Sequence, residues 1–381
     1  MGFPFTTMTL NLLLLMAMVA TNILSLYHLT STTLQSPKSP KQPQVPDQLL
    51  HQLHTIRATI NHLTRLHPNT PTLTTKSPKP TIPPDLSLYS HLSPIPSSCH
   101  NHPDLLYKYM SYTPFSLCPS DPDTAESLIL RGCHPLPRRR CFTKTPHKTI
   151  QTLPVNNPFP SLSSIPETMI LWDRYNCKSF NCLNRQNPNL GFDFERESSR
   201  HVIYKTELDL PVSQLMQIAK AAKSVIRLGV DIGGGTGSFA AAMRRFNVTV
   251  VTTTMNVVAP YNEAVAVRGL VPLHVPLQQR LPVFDGVLDL VRCGHAVNRW
   301  IPVTVLEFLL FDVDRVLRGG GYLWLDHFFS KGVDLEKVFA PLIGKLGYKK
   351  VKWATANKTD AGGVKNGEVY LTALLQKPVS R

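Results

Sequence analysis

Apolar and polar positions follow two regimes along this 381-residue chain. From about residue 200 onward, apolar runs of strand length alternate with stretches of helical spacing. Residues 225–232 (VIRLGVDI) are the first apolar run, and GGGTGSFAAAM after them is a glycine turn opening a helix. The pattern continues with strands predicted over 248–253, 270–275, 286–292 and 321–327, and helices over 261–268, 303–317 and 335–346. Two closing strands are predicted over 349–354 and 368–376. Repeated strand–helix units predict a parallel sheet covered on both faces. Ligands of such sheets bind beyond the carboxyl ends of the strands, near the point where strand order reverses.

The first half reads differently. Residues 1–36 carry no charged side chain, and the only polar members of 8–26 (MTLNLLLLMAMVATNILSL) are Thr, Asn and Ser. As a helix this segment spans about 28 Å, close to the hydrocarbon thickness of a bilayer. It is longer than a usual signal-peptide core, no small-x-small cleavage site follows, and it lacks the arginines of an organelle presequence. Residues 1–30 are therefore read as a single transmembrane anchor in a lipid bilayer. A cleaved signal is the alternative. Orientation is weakly encoded: Lys38 and Lys41 follow the segment and only the amino group precedes it, which mildly favours a cytosolic C-terminal domain.

Of 33 prolines, 22 lie between Pro37 and Pro160. Proline removes backbone donors and breaks helix and sheet alike. Residues 31–165 are accordingly expected to be a Pro/Ser/Thr-rich stem and irregular cover, with one helix-compatible island over 47–66. The remaining 166–381 form the folded domain. Net charge is +15, and both regions share it: 13 Lys+Arg against 6 Asp+Glu before residue 166, 27 against 19 after it. Such a field favours acidic partners. No RNA-reading motif occurs and Arg138-Arg139-Arg140 is the longest basic run, so no nucleic-acid partner is expected. Six of seven cysteines (Cys99, Cys118, Cys133, Cys141, Cys177, Cys182) precede the strand–helix region. An even set in loop-rich sequence suits disulfides in an oxidising compartment, with free thiols as the alternative. Zinc is disfavoured because no C-x-x-C pair exists. Cys293 falls in a predicted buried strand.

The candidate chemistry begins at Asp231-Ile232-Gly233-Gly234-Gly235-Thr236-Gly237, an acid-x-G-x-G-x-G pattern directly after the first strand. Glycines allow positive φ and close approach of backbone to a ligand. The third glycine comes one residue earlier than in a dinucleotide fingerprint, which favours S-adenosylmethionine over NAD. Two later segments support this. LPVFDGVLDLVRCGHAVNRW (281–300) resembles the L-P-F-x-D-x-x-F-D-x-V segment of class I methyltransferases. DVDRVLRGGGYLWLDHF (312–328) resembles their R-V-L-x-P-G-G segment, with Gly319 where proline is usual. The match covers about residues 200–376. With ILWDRYNCKSFNCL (170–183) and VTVVTTTMN (248–256) it resembles a plant family of membrane-anchored methyltransferases related to Golgi enzymes of pectin methylation.

The resemblance implies an α/β, Rossmann-like class I methyltransferase sheet of seven strands, mostly parallel with the last antiparallel, behind a transmembrane helix and a Pro-rich stem. It implies S-adenosyl-L-methionine as cofactor, with Asp231, Gly233, Gly235 and Gly237 at its site. It also implies a single-pass Golgi protein whose domain is luminal, which outweighs the flanking lysines. The sequence departs from the pattern at two places. No carboxylate ends strand two, so Asn256 is expected to take the ribose. No acid precedes Leu281-Pro282 where the adenine contact is usual, so Gln278 or Gln279 stands in. For catalysis, His295 follows strand four, and Asp326 and His327 end strand five; a hydroxyl or amine acceptor needs such a base, whereas a carboxylate needs only cations. Arg292, Arg299 and Trp300 are expected to clamp an anionic sugar. The functional expectation is a membrane-anchored methyltransferase acting on a polysaccharide or small acidic acceptor. The alternatives are a non-catalytic scaffold in glycan synthesis and a small-molecule enzyme on the cytosolic face.

Overall fold

The computed structural model describes residues 21, 95, 97–146, 165–294 and 296–379. The chain divides into two units, Met1–Ser87 and Leu88–Arg381, and the fold below is that of the second. Apart from Thr21, the expected anchor over 8–26 and the island over 47–66 lie outside the described residues. Among the described residues no helix is long and apolar enough to cross a membrane.

Seven strands form one sheet: β1 Leu228–Ile232, β2 Thr249–Thr253, β3 Val271–Leu273, β4 Leu288–Cys293, β5 Leu317–Lys331, β6 Lys349–Asn357 and β7 Glu368–Gln376. Their order is β3-β2-β1-β4-β5-β7-β6. The pairs β3–β2, β2–β1, β1–β4 and β4–β5 are parallel, whereas β7 runs antiparallel to both β5 and β6. The last strand is thus the reversed one, as the resemblance implied.

Alternation across the pleat sorts the core onto two faces. Leu290, Tyr322 and Trp324 point to one side, where they meet Leu215, Phe239 and Met243. Val291, Leu323 and Leu325 point to the other, where they meet Leu306, Leu309, Leu310 and Val313. Besides three short 3-10 turns, ten helical segments flank or precede the sheet among the described residues: α1 Pro103–Met110, α2 Pro122–Leu130, α3 Phe180–Gln186, α4 Phe194–Arg200, α5 Val212–Ala221, α6 Ser238–Arg244, α7 Tyr261–Val267, α8 Val303–Val316, the consecutive Gly332–Asp334, Leu335–Phe339 and Ala340–Gly344 taken together as α9, and α10 Ala361–Asn366. In α8 the buried positions Leu306, Leu309, Leu310, Val313 and Val316 recur at helical spacing.

Residues 97–146, expected to be irregular cover, instead hold α1 and α2. Their prolines start helices rather than break them: Pro103 and Pro122 sit in the first turn, where the missing N–H would have no intrahelical partner. Disulfides Cys99–Cys133 and Cys118–Cys141 close this module, and Arg139 binds Asp121 while lying 4.1 Å from the centre of the Tyr109 ring. The module rests on the segment after β3. Gln279 Nε2 donates to the Ile129 carbonyl at 3.3 Å, and His274 Nε2 lies 3.1 Å from Glu126 Oε2. A third disulfide joins Cys177 to Cys182, and Cys293 is buried in β4 as a free thiol.

This pairing predicts the thiol count. The intact chain denatured without reductant and treated with iodoacetamide should take up one carboxamidomethyl group, on Cys293, seen by mass spectrometry. Uptake of three or more would contradict the pairing.

Candidate active site

A cleft of about 1010 Å³ opens at the carboxyl ends of the parallel strands, where the connections from β1 and β4 diverge. The glycine turn after β1 forms part of its wall. Gly233 has φ +66° and Gly235 φ +57°, values that favour glycine. A Cβ on Gly233 would lie 2.2 Å from the Ala296 Cβ, so this glycine is required by packing against the β4 loop. A Cβ on Gly235 would meet nothing within 4 Å, because that position faces the open cleft.

The turn is held from three sides. Gly233 N–H donates to Thr253 Oγ1 at 3.0 Å and Gly234 N–H to the Thr253 carbonyl at 3.1 Å. Thr236 Oγ1 donates to the Gly191 carbonyl at 2.9 Å, and Arg268 Nη1 to the Thr236 carbonyl at 2.6 Å. A backbone cradle so fixed, with space left at Gly235, suits the amino-acid part of S-adenosylmethionine. Met255, Tyr261, Val275 and Leu277 supply apolar surface beside it for a flat base.

The expected site residues separate into three groups. Gly233, Gly235 and His327 line the cleft. Asp231 and Asp326 lie just behind it, fully buried, and share Arg292. The guanidinium donates through Nη1 to Asp231 Oδ1 at 2.7 Å and through Nε to Asp326 Oδ2 at 3.1 Å, with Nη2 also on Asp326. Asp231 therefore orients Arg292 through Oδ1, and its Oδ2 has no hydrogen-bond partner among the described residues. The two carboxyls respond oppositely. Burial pushes Asp231 up despite Arg292. Burial would also raise Asp326, but Arg292 together with His327 holds it well below the usual carboxylate range. Asp326 wins because it receives two of the three guanidinium contacts and one from His327.

Three more of the expected residues, Gly237, Asn256 and Gln278, sit away from the cleft wall. Gly237 caps α6 with φ +79° and faces Val265 and Leu270, so it serves packing and is not part of the cleft wall. Asn256 is committed to α7: its Oδ1 accepts from the Asn262 N–H at 2.8 Å and its Nδ2 donates to Glu263 Oε2 at 2.6 Å. The helix needs it, because Pro260 at the N-cap offers no side-chain acceptor. Gln278 turns outward and its Nε2 contacts the Leu130 carbonyl of the disulfide module at 3.4 Å, leaving Leu277 on the cleft wall. His295 lies outside the described residues. Of the expected sugar clamp, Arg292 is used up by its two carboxylates and Arg299 pairs with Glu368, while Trp300 stands 71% exposed at the rim, edge-on to Phe329.

The sequence reading missed a second wall. Residues 188–209 bring Arg196, Glu197, Arg200, Lys205 and Asp209 to the cleft. The available signal was Arg196 and Arg200 at i and i+4 on α4, one face of a helix. Among the described residues, the side chains of Arg196, Arg200 and Lys205 make no hydrogen bond or ion pair.

Two substitutions test this geometry. Gly235→Ala should leave the fold intact, at a cost of about 1 kcal/mol for the positive φ, while lowering affinity for S-adenosylhomocysteine at least about tenfold, a loss of about 1.4 kcal/mol; unchanged calorimetric affinity would remove the turn from the site. Asn256→Ala should cost about 0.5–2 kcal/mol of stability through loss of the α7 cap and leave that affinity unchanged within about twofold.

Comparison with known proteins gives the family of the chain. A family model described as "Putative S-adenosyl-L-methionine-dependent methyltransferase" matches residues 197–332, which contain the glycine turn, Arg292, Asp326 and His327. An Arabidopsis thaliana protein described as a "Probable methyltransferase" is 66% identical over 389 residues, covering 98% of this chain and 99% of its own. Among solved structures, the 1,6-didemethyltoxoflavin-N1-methyltransferase of Burkholderia thailandensis is 15% identical, covers 52% of this chain and 89% of its own, and has a TM-score of 0.34. The N-methyltransferase NodS of Bradyrhizobium japonicum is 12% identical, covers 44% and 93%, and has a TM-score of 0.31. The assignment rests on the Arabidopsis relative, which matches nearly end to end: the chain belongs to the family of S-adenosyl-L-methionine-dependent methyltransferases.

Proposed function

We propose that this methyltransferase acts on an acidic acceptor, a uronic-acid polysaccharide or a small anionic molecule. One observation carries the reading: the side chains of Arg196, Arg200 and Lys205 line the cleft and make no hydrogen bond or ion pair among the described residues. Arg196 and Lys205 are exposed and Arg200 is half-buried, so an anionic ligand in the cleft can reach all three and pair with them by charge-assisted hydrogen bonds. Trp300 and Tyr370 on the same cleft offer aromatic faces of the kind that stack on sugar rings. The chain's own groups bind and orient the acceptor; the bound cofactor supplies the methyl as a sulfonium.

We further propose a membrane anchor over 1–30, a stem over 31–165 that carries the disulfide module, and a methyltransferase domain over 166–381 in the Golgi lumen. Support comes from the apolar segment 8–26 and from three disulfides, which persist in oxidising compartments. Protein alkylated directly in microsomes tests this: six free thiols there would move the domain to the cytosol. A scaffold without transfer activity is the second reading, favoured by Asn256, which caps α7 where a ribose-binding acid is usual. Calorimetric titration with S-adenosylmethionine separates the two.

Arg200→Glu should raise KM for oligogalacturonate at least about tenfold, because a charge-assisted hydrogen bond is worth about 1.5–3 kcal/mol. The affinity for S-adenosylhomocysteine should stay unchanged. If that affinity falls and KM does not, Arg200 holds the cofactor's carboxylate instead.

A further inference from the structure

We infer that the methylated atom is a hydroxyl oxygen, and that His327, fixed in one tautomer by Asp326, takes its proton. The inference rests on the methyltransferase reading above, and it narrows that reading from an acidic molecule to one of its hydroxyls.

The local backbone is arranged for these two residues. The β5–β7 register passes from Leu325↔Ala373 to Phe328↔Leu371, so Asp326 and His327 together face the single residue Thr372. One residue is therefore extra on β5, a bulge of the kind that re-aims side chains beside active sites. His327 has φ +52°, the left-handed region, and its N–H donates to Thr372 Oγ1 at 3.3 Å. A histidine seldom adopts this conformation without tertiary support. The bulge turns its ring into the cleft, edge-on to Tyr370 with centroids 5.8 Å apart.

The hydrogen bonding then selects the tautomer. His327 Nδ1 lies 2.7 Å from Asp326 Oδ1. Arg292 has only hydrogens to give, and it occupies Asp326 Oδ2. The same cation holds Asp326 ionised, so its Oδ1 accepts and Nδ1 carries the hydrogen. The lone pair is left on Nε2. Asp209 Oδ1 lies 3.9 Å from Nε2, beyond hydrogen-bond distance, while Asp209 Oδ2 is taken by the N–H groups of Lys205 and Thr206. Room remains for a donor hydroxyl between them.

The step balances without an oxidant or reductant. The acceptor O–H gives its proton to Nε2 while its oxygen forms a bond to the sulfonium methyl. The pair of the breaking carbon–sulfur bond stays on sulfur as a neutral thioether. The imidazolium, stabilised by Asp326, releases its proton to water. A carboxylate acceptor would need none of this, because it is already the nucleophile.

Full-length enzyme, radiolabelled donor and two probes test the inference: oligogalacturonate and its carboxyl-reduced neutral counterpart. The label should resist dilute alkali, as an ether does. His327→Asn retains a residue tolerant of positive φ and should lower kcat about 10²–10⁴-fold, with KM and donor affinity little changed. Asp326→Asn acts by position: Arg292 would claim the amide oxygen, the NH₂ would face Nδ1, and the imidazole hydrogen would move to Nε2. Its kcat should fall as far, and the double variant should fall no further than either alone. Alkali-labile label on oligogalacturonate would mean a methyl ester and overturn the inference while sparing the acidic-acceptor reading. Alkali-stable label on both probes equally would do the reverse. Transfer to neither, or unchanged kcat in His327→Asn, would overturn the inference outright.

Discussion

Arg292 stands on the central strand β4 with a carboxylate on each neighbouring strand, Asp231 on β1 and Asp326 on β5. Its guanidinium lies 4.8 Å from the ring centre of Phe239 and 5.5 Å from that of Trp324. A charge buried among aromatics persists only when paired, and removing one partner of such a set costs about 3–5 kcal/mol. The three strands are therefore tied together at their carboxyl ends by a requirement for charge balance as well as by the sheet ladder. One cation cannot fully satisfy two carboxylates. The better-bonded Asp326 stays ionised, and the less-bonded Asp231 is pushed towards the neutral acid.

The same centre links two walls of the cleft. Asp231 precedes the glycine turn and Asp326 precedes His327, so Arg292 ties both walls to one point. The turn is pinned by Thr253, Gly191 and Arg268, all groups of the protein itself. Binding then does not have to order this backbone, and preorganisation of that kind is where affinity is gained.

The strand–helix order, the glycine turn and the all-buried strands were legible because period and composition are local signals. The reversed strand β7 was expected from resemblance alone. What escaped the sequence depended on partners distant in the chain. Asn256 looked free for a ribose because Pro260 leaves α7 without its own cap, a debt visible only once the helix start is fixed. Arg292 looked like a sugar clamp because neither of its carboxylates lies near it in sequence. Proline counts hid α1 and α2, since a count does not distinguish a first-turn proline from an interior one. The cations of α4 lay upstream of the motif that drew attention to the sheet.

The disulfide module has a consequence for maturation. Its α2 carbonyls accept from Gln278 and Gln279, and the adjacent Leu277 is cleft wall. Two disulfides close the module that supports that wall from outside, together with its own small core and the Arg139–Asp121 pair. A newly made chain that has not met an oxidising environment would carry the glycine turn and the charge centre but lack the two cross-links of this buttress. Pairing of these cysteines would then complete the outer side of a wall whose inner side the sheet already forms.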